Sequence, residues 1–143
     1  MRVLVRSQGG RTSPTVRELA LSLVGHLSPK AYAEEAQALH AFVRDRVRYV
    51  RDVRGVETVQ TPERTIAIRQ GDCDDKSTLL AAMLESLGFR TRFEAVGFMP
   101  GRWSHVLVSA FVAGLGWVPM ETTIDVPMGW SPPRVVERIT LEN

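Results

Sequence analysis

The chain has 143 residues, of which 44% are hydrophobic and 24% are charged, and its formal net charge is +2. This length suits one domain with a hydrophobic core, over residues 1–143, and the balance excludes a disordered chain. Acidic residues interrupt the densest arginine run, at residues 44–54, so we expect no one-sided basic surface and no nucleic-acid partner.

Compartment signals are few. A single cysteine, Cys73, leaves no internal disulfide to form. The apolar stretch at the N-terminus is too short for a secretion signal, and no apolar run approaches the length of a membrane span. We therefore expect a cytoplasmic protein without a membrane partner.

The first half of the chain is predicted to be mainly helical. Residues 1–6 alternate weakly and suggest an edge strand. Ser13 and Pro14 are a helix cap and a first helical residue, and they open a helix that reaches about His26. A stronger helix covers residues 29–47. Its apolar residues keep the spacing of one buried stripe: Tyr32, Ala36, Leu39, Val43 and Val47.

A third helix follows a polar, turn-like segment at residues 51–61. Pro62 first opens a short helical turn that reaches Ile68. The third helix then covers residues 72–87, and Gly88 stands where a C-cap glycine belongs. Its core-facing residues are predicted to be Leu79, Leu80, Met83, Leu84 and Leu87.

Beyond this helix the hydrophobic period changes to two, which predicts strands at residues 90–98, 104–112 and 116–121. Residues 134–141 suggest a further edge strand. Helices followed by an antiparallel sheet predict an α+β fold. We expect one continuous core between the layers, formed by Phe42, Val43, Leu80, Met83, Leu84, Phe93, Val106 and Val108.

Cys73 begins the third helix, where a thiol faces unpaired backbone N–H groups and the positive end of the helix dipole. Both favour the nucleophilic thiolate, and the same amides can hold an oxyanion. Free cysteine is also a common buried packing residue, so this alternative stays open. Asp72 fits a helix cap, whereas Asp74 and Asp75 would oppose a thiolate. A positive group must then lie nearby.

Of the three histidines, His105 is the candidate for that group. His26 and His40 lie on the early helices, and no role is expected for either. His105 begins a strand and shares a face with the alternate residues up to Phe111. If that face packs on the third helix, the imidazole can reach Cys73.

Glu121 is the candidate for an acid that orients His105. It lies at the end of the next strand, and antiparallel neighbours can bring the two side chains together. A carboxylate there would fix the tautomer of the ring and stabilise the imidazolium. Asp125 is the alternative acid, although it lies past the strand.

These segments together resemble the transglutaminase-like superfamily, especially its short bacterial and phage members. The resemblance covers about Leu39 to Ile124, and each motif by itself is short. The segments that carry it are Val47-Arg48-Tyr49, Val59-Gln60-Thr61-Pro62, Gly71-Asp72-Cys73, Leu87-Gly88-Phe89, His105-Val106-Leu107-Val108 and Trp117-Val118-Pro119-Met120-Glu121-Thr122-Thr123. It implies a papain-like α+β core, in which helices and a catalytic helix pack on a small antiparallel sheet.

The resemblance also implies roles for three residues: Cys73 as nucleophile, His105 as base and Glu121 as orienting acid. The family usually has aspartate and proline where this chain has Glu121 and Thr122, which puts the histidine geometry in question. An upstream side chain completes the oxyanion hole in the family, and Gln60 and Gln70 are both candidates, with Gln60 preferred. No cofactor is implied.

The resulting prediction is acyl transfer on an amide or peptide bond through a thioester, with a protein or peptide substrate as the partner. Water as the acceptor would give a peptidase or deamidase, and an amine would give a transglutaminase. Two alternatives remain. One is a non-catalytic structural or assembly module, for example of a phage. The other is a zinc site of Cys73, His105 and an aspartate, although no CxxC or HxxxH spacing supports it.

Overall fold

The computed structural model describes residues 1–52 and 58–143. The turn predicted at residues 51–61, and the end of the arginine run, fall partly outside this range. Within it the helices are α1 (Arg2–Arg6), α2 (Pro14–Val24), α3 (Tyr32–Arg46), α4 (Pro62–Ile68) and α5 (Cys73–Ser86). The strands are β1 (Arg48–Tyr49), β2 (Gln70–Gly71), β3 (Thr91–Gly97), β4 (His105–Val112), β5 (Gly116–Met120) and β6 (Glu137–Glu142). The predicted α+β class is confirmed.

Four of the strands form an antiparallel sheet in the order β5-β4-β3-β6. In its register Val108 of β4 lies opposite both Phe93 of β3 and Met120 of β5. The C-terminal edge strand predicted from residues 134–141 is present as β6, which pairs with β3. The short strands β1 and β2 form a separate parallel pair that joins the end of α3 to the segment before α5.

The helix boundaries follow local chemistry. Ser13 caps α2 through its side chain, which accepts a hydrogen bond from the backbone N–H of Val16, and Pro14 takes the first helical position. Gly88 has φ of 94° just after α5, a conformation that favours glycine. No described helix is long and apolar enough to cross a membrane.

The core lies between α5 and the sheet, with α2 and α3 packed on the other side of α5. Seven of the eight predicted core residues are buried in one hydrophobic cluster, and Phe42 is partly buried against it. Leu39, Leu79, Leu80 and Met83 have no exposed surface. The predicted continuous core is confirmed.

The N-terminal segment is a helix, so the edge strand predicted at residues 1–6 is wrong. The backbone N–H of Val5 donates to the oxygen of Met1 at 3.0 Å, which closes a helical turn. Strand β6 occupies the position beside β3, and α1 packs on α5 instead. Helical geometry buries Val5 completely and leaves Val3 79% exposed, a difference that also explains the weak alternation in the sequence.

The face of β4 that packs on α5 carries the even-numbered residues, including Val106 and Val108. The hydroxyl of Ser77 in α5 donates to the backbone oxygen of Val106 at 3.3 Å. Ser109 lies on the opposite face, where its hydroxyl bonds the carboxylate of Glu94. The condition under which His105 was expected to reach Cys73, that its face packs on α5, is therefore not met. His105 meets the helix because it lies at the end of the strand.

Candidate active site

Cys73 is the first residue of α5, and a reciprocal cap holds the turn that contains it. The Asp72 carboxylate accepts from the backbone N–H of Asp75 at 3.1 Å, and the Asp75 carboxylate accepts from the N–H of Asp72 at 3.1 Å. This capping box fixes the first helical turn. The N–H of Cys73 has no intrahelical acceptor at this position and faces outward from the helix end.

Asp75 is almost completely buried and is surrounded by hydrogen-bond donors. Its carboxylate accepts from the backbone N–H of Gln60 at 2.7 Å and from the Gln60 amide at 2.9 Å, in addition to Asp72. These donors balance the charge that the sequence suggested would oppose a Cys73 thiolate. A Cβ atom on Gly71 would lie 2.5 Å from the Cβ of Asp75, so only glycine fits there.

The structure gives Gln60 a different task from the predicted oxyanion donor. Its amide nitrogen donates to the Asp75 carboxylate and, at 3.2 Å, to the backbone oxygen of Gln70. Both hydrogens of the amide are thereby used, and both partners are acceptors, which fixes the amide orientation. These two contacts count against the preference for Gln60, whose role in an oxyanion hole stays a prediction. Gln70 is exposed on β2, and its role in an oxyanion hole stays a prediction.

His105 and Glu121 form the hydrogen bond that the sequence predicted. Nε2 of His105 lies 2.5 Å from Oε2 of Glu121, which is only 2% exposed. The other carboxylate oxygen accepts from the backbone N–H of Thr123 at 2.9 Å and from its hydroxyl at 2.8 Å. Asp125 does not take this place, because its side chain is 94% exposed and lies 3.6 Å from Arg44.

The sheet register explains why a glutamate can serve here. Met120, the last residue of β5, lies opposite Val108, so the next residue along falls opposite Leu107 and diagonal to His105. Diagonal neighbours on adjacent strands are about 7–8 Å apart, compared with about 5 Å for direct neighbours. The longer side chain of Glu121 suits this diagonal.

His105 also contacts Cys73. Burial lowers the pKa of His105, but hydrogen bonds to the side chains of Cys73 and Glu121, and the charges of both, together raise it to about 9. Because Nε2 faces Glu121, the other ring nitrogen, Nδ1, is the one available to Cys73. The Cys73 sulfur also lies 3.9 Å from Oδ1 of Asp74.

The pKa of Glu121 moves in the opposite direction. Burial raises it, but the hydrogen bonds from His105 and Thr123 and the charge of His105 bring it below its ordinary value. Both shifts favour a charged pair, a carboxylate beside an imidazolium. The catalytic role of the three residues stays a prediction, and the geometry joins them in one chain.

His40 reaches this site, although no role was predicted for it. Its Nε2 lies 2.6 Å from the backbone oxygen of Glu121, and the residue is 1% exposed. Burial lowers the pKa of His40 despite that hydrogen bond, so the neutral ring donates its N–H to the carbonyl. The sequence held one signal, because His40 lies four residues after Ala36, within the buried stripe of α3.

Lys76 of α5 connects that helix to the end of α3 beneath the site. Its ammonium group donates to the backbone oxygens of Val47 at 2.7 Å and Arg44 at 3.3 Å, the free carbonyls at the end of α3. Burial lowers the pKa of Lys76 to about 8, against the opposing charges of Glu121 and Asp45. The sequence gave no warning of this buried lysine.

Three carboxylates, those of Asp52, Asp72 and Asp75, lie within 4.8 Å of one another. Burial raises the pKa of Asp72 to about 7, the Asp75 amide lowers it, and a hydrogen bond to Asp52 adds to the rise. Such oxygen ligands suit hard cations, not zinc. The group includes neither Cys73 nor His105, so the zinc alternative has no support among the described residues, and the capping network accounts for the cluster.

The comparisons with known proteins concern the family and the fold. The family model described as the transglutaminase-like superfamily matches residues 17–122. Among curated proteins, no sequence matches this chain.

Several solved structures share the fold. A proposed cysteine protease from Cytophaga hutchinsonii has 17% identity and a TM-score of 0.61 over 90% of this chain and 46% of its own. A proposed protease from Parabacteroides distasonis has 17% identity and a TM-score of 0.68 over 88% of this chain and 25% of its own. LapG of Legionella pneumophila has 15% identity and a TM-score of 0.59 over 85% and 78%. This chain thus spans about half the length of the Cytophaga hutchinsonii protein and a quarter of the length of the Parabacteroides distasonis protein.

Proposed function

The chain belongs to the transglutaminase-like superfamily, and we propose that it is a cysteine-dependent acyl-transfer enzyme that acts on an amide or peptide bond. The observation that carries the proposal is the grouping of three side chains: the buried Glu121 carboxylate bonds Nε2 of His105, and interaction with Cys73 helps to raise the pKa of His105. A satisfied core histidine needs one partner, whereas His105 lies between a buried carboxylate and the single thiol of the protein.

In the reactive form the proton of the Cys73 thiol has already passed to His105, which the raised pKa of His105 favours. The resulting imidazolium is stabilised by the Glu121 carboxylate on its far nitrogen. The thiolate attacks the carbonyl carbon of the substrate amide, and the oxygen becomes an oxyanion. The positive end of α5, whose first turn the Asp72–Asp75 cap holds, supports this step because backbone N–H groups at a helix start can stabilise such a charge.

The tetrahedral intermediate then collapses. His105 returns its proton to the leaving amine, the carbon–nitrogen bond breaks, and a thioester remains on Cys73. Water activated by His105 hydrolyses the thioester to give an acid, or an amine attacks to give a new amide. The first outcome makes the chain a peptidase or amidase and the second a transglutaminase.

The thiol itself tests the proposal. Alkylation by iodoacetamide, read by mass spectrometry across a pH series, reports Cys73 alone because the chain has no other cysteine. His105→Gln should shift the pH profile of alkylation strongly. His26→Gln, at an exposed histidine, is the matched control and should leave it unchanged. An unchanged profile in both variants contradicts the pairing.

Activity is tested with a casein digest and with amine incorporation into the same protein. Cys73→Ala should abolish either activity while the thermal midpoint changes little. Loss of the fold in that variant would favour the packing role for the cysteine. Labelled amine in the product identifies a transferase, and new peptide termini identify a peptidase.

A non-catalytic structural or assembly module is the second candidate. The observation in its favour is the contact in which the Cys73 thiol donates to the Asp74 carboxylate, with sulfur and oxygen 3.9 Å apart. Asp74→Asn separates the two functions. Faster alkylation with intact folding shows that the Asp74 carboxylate slows the reaction of an active thiol. A slow reaction that responds neither to Asp74→Asn nor to His105→Gln identifies the inert module.

A further inference from the structure

We propose that two copies of this chain pair through strand β6 about a twofold axis, so that their two sheets join as one antiparallel sheet. The proposal rests on the free edge of β6, on the apolar side chains beside it and on the self-complementary sequence of the strand. It is independent of the chemistry at Cys73.

The hydrogen-bonding groups of β6 alternate between β3 and the open edge. The N–H of Asn143 donates to the oxygen of Thr91 at 2.9 Å, and the N–H of Phe111 in β4 donates to the oxygen of Arg90 at 2.9 Å. Odd-numbered residues of β3 therefore bond β6, and the odd-numbered residues of β6 bond β3 in return.

The N–H and C=O groups of Arg138, Thr140 and Glu142 therefore point to the outer edge. Within the described part of the chain, no backbone bond reaches that edge. An unpaired row of this kind is a template for another strand.

Apolar surface lies along the same edge. Ile139 and Leu141 are 56% and 51% exposed, although they lie on the sheet face that α5 covers elsewhere. They border an open groove of about 520 Å³ whose other walls include Val3 of α1 and Phe93 of β3. A contiguous exposed apolar groove beside an unpaired edge indicates an interaction surface.

The sequence of β6 selects a second copy as the occupant. With Thr140 on the twofold axis, Arg138 lies opposite Glu142 of the second copy, and the same pair recurs on the other side. Ile139 then lies opposite Leu141 of the second copy, again twice. The charged pairs share one face and the apolar pairs the other, which follows from the alternation of strand side chains.

Neighbouring registers lose this match. A shift of one residue between the strands places outward N–H groups against residues that bond β3, so the ladder fails. A shift of two places Arg138 or Glu142 opposite Thr140 and separates the opposite charges. The twofold register centred on Thr140 joins three hydrogen-bonded pairs and up to about six backbone bonds.

The charged side chains are already held in the described chain. Arg138 bonds the buried carboxylate of Glu94 at 3.0 Å and the hydroxyl of Ser131 at 3.0 Å. Glu142 bonds Arg90 at 2.6 Å. Ordering them against the second copy therefore costs little additional side-chain entropy.

Sedimentation over a concentration series is the first test. We expect a reversible monomer–dimer equilibrium, and Glu142→Arg should weaken it about tenfold because both ion pairs become like-charge pairs. Arg90→Gln removes the same intramolecular ion pair without changing the charges that face the second copy, and it should change the equilibrium far less than Glu142→Arg. A protein that stays monomeric up to about 1 mM overturns the proposal.

Cross-linking tests the register separately, in a Cys73→Ser background. A mixture of Ile139→Cys and Leu141→Cys chains should form a disulfide between unlike chains about tenfold faster than either variant alone. In the proposed register, residue 139 of one copy is offset by two residues from residue 139 of the other, and the same holds for residue 141. The Cα atoms of such equivalent residues lie beyond the roughly 7 Å that a disulfide spans. Equal rates in all three samples show random collision or a partner of another kind, and reject the pairing.

Discussion

The Nε2 atom of His40 lies 2.6 Å from the backbone oxygen of Glu121. This contact ties the buried face of α3 to the residue that follows β5, and it fixes the carbonyl next to the carboxylate that faces His105. Because the ring is neutral and buried, it can donate without placing a second positive charge beside His105. His40 is therefore a positioning residue for the candidate acid.

Replacement of His40 should disturb the site through Glu121. We expect His40→Leu to lower kcat about tenfold to a hundredfold with little change in KM, and to cost about 1–3 kcal/mol of stability for the unpaired carbonyl. His40→Gln, whose amide can donate at a similar reach, should recover part of both. Equal kinetic loss in Leu and Gln variants would contradict a positioning role through this hydrogen bond.

The same residue predicts a pH effect on folding. The pKa of His40 is lowered in the folded chain, so the unfolded chain binds a proton more readily. The stability that neutral His40 contributes is present above its ordinary pKa of about 6.5 and is lost as the pH falls below it. Urea unfolding at several pH values should show a weaker acid dependence in His40→Gln, and an identical slope would argue against it.

The charge of Glu121 is expected to matter more for activity than the length of its side chain. Glu121→Gln keeps the length but removes the charge that stabilises the imidazolium, so kcat should fall strongly, by about a hundredfold or more. Glu121→Asp keeps the charge but shortens a diagonal contact, and a smaller loss is expected. The hydrogen bonds that Oε1 accepts from Thr123 should weaken in both, since both alter the carboxylate. Aspartate less active than glutamine would show that reach matters more than charge.

His105 predicts a basic limit of stability. Its pKa is raised to about 9 in the folded chain from about 6.5 unfolded. The added stability is fully present below pH 6.5 and is lost as the pH rises through about 9. The difference in unfolding free energy between the native chain and His105→Gln should shrink over that interval. A difference that stays constant from pH 6 to pH 10 would show that folding does not raise the pKa of His105.

Asp75 should dominate the stability of the helix start. Asp75→Asn replaces a carboxylate that accepts from several N–H groups with an amide whose NH₂ group would face those donors. We expect the free energy of unfolding, measured in urea, to fall by about 3 kcal/mol. Asp74→Asn, one residue earlier and only half-buried, is the matched control with a loss below about 1 kcal/mol. Similar losses at both positions would contradict the buried cap.

The sequence determined much of the fold and the identity of the candidate site. Hydrophobic periods of three to four and then two mark α2, α3, α5 and the strands, because burial requires one apolar face on each element. Ser13, Asp72 and Gly88 mark helix ends through chemistry that acts within a few residues. Cys73 was identified as a candidate because it is a thiol at a helix start, which is also a local feature. The order of the motifs along the chain then indicated His105 and Glu121.

Only the tertiary structure decided the partners that lie far apart in sequence. Residues 2–6 form a helix that packs on α5, while β6 pairs with β3, an outcome that no local pattern records. The Gln60 amide bonds Asp75, which is 15 residues away in sequence. The His40 ring bonds the carbonyl of Glu121, which is 81 residues away. The diagonal contact of Glu121 with His105 likewise depends on the register of two strands. Such contacts follow from packing, which the sequence alone does not specify position by position.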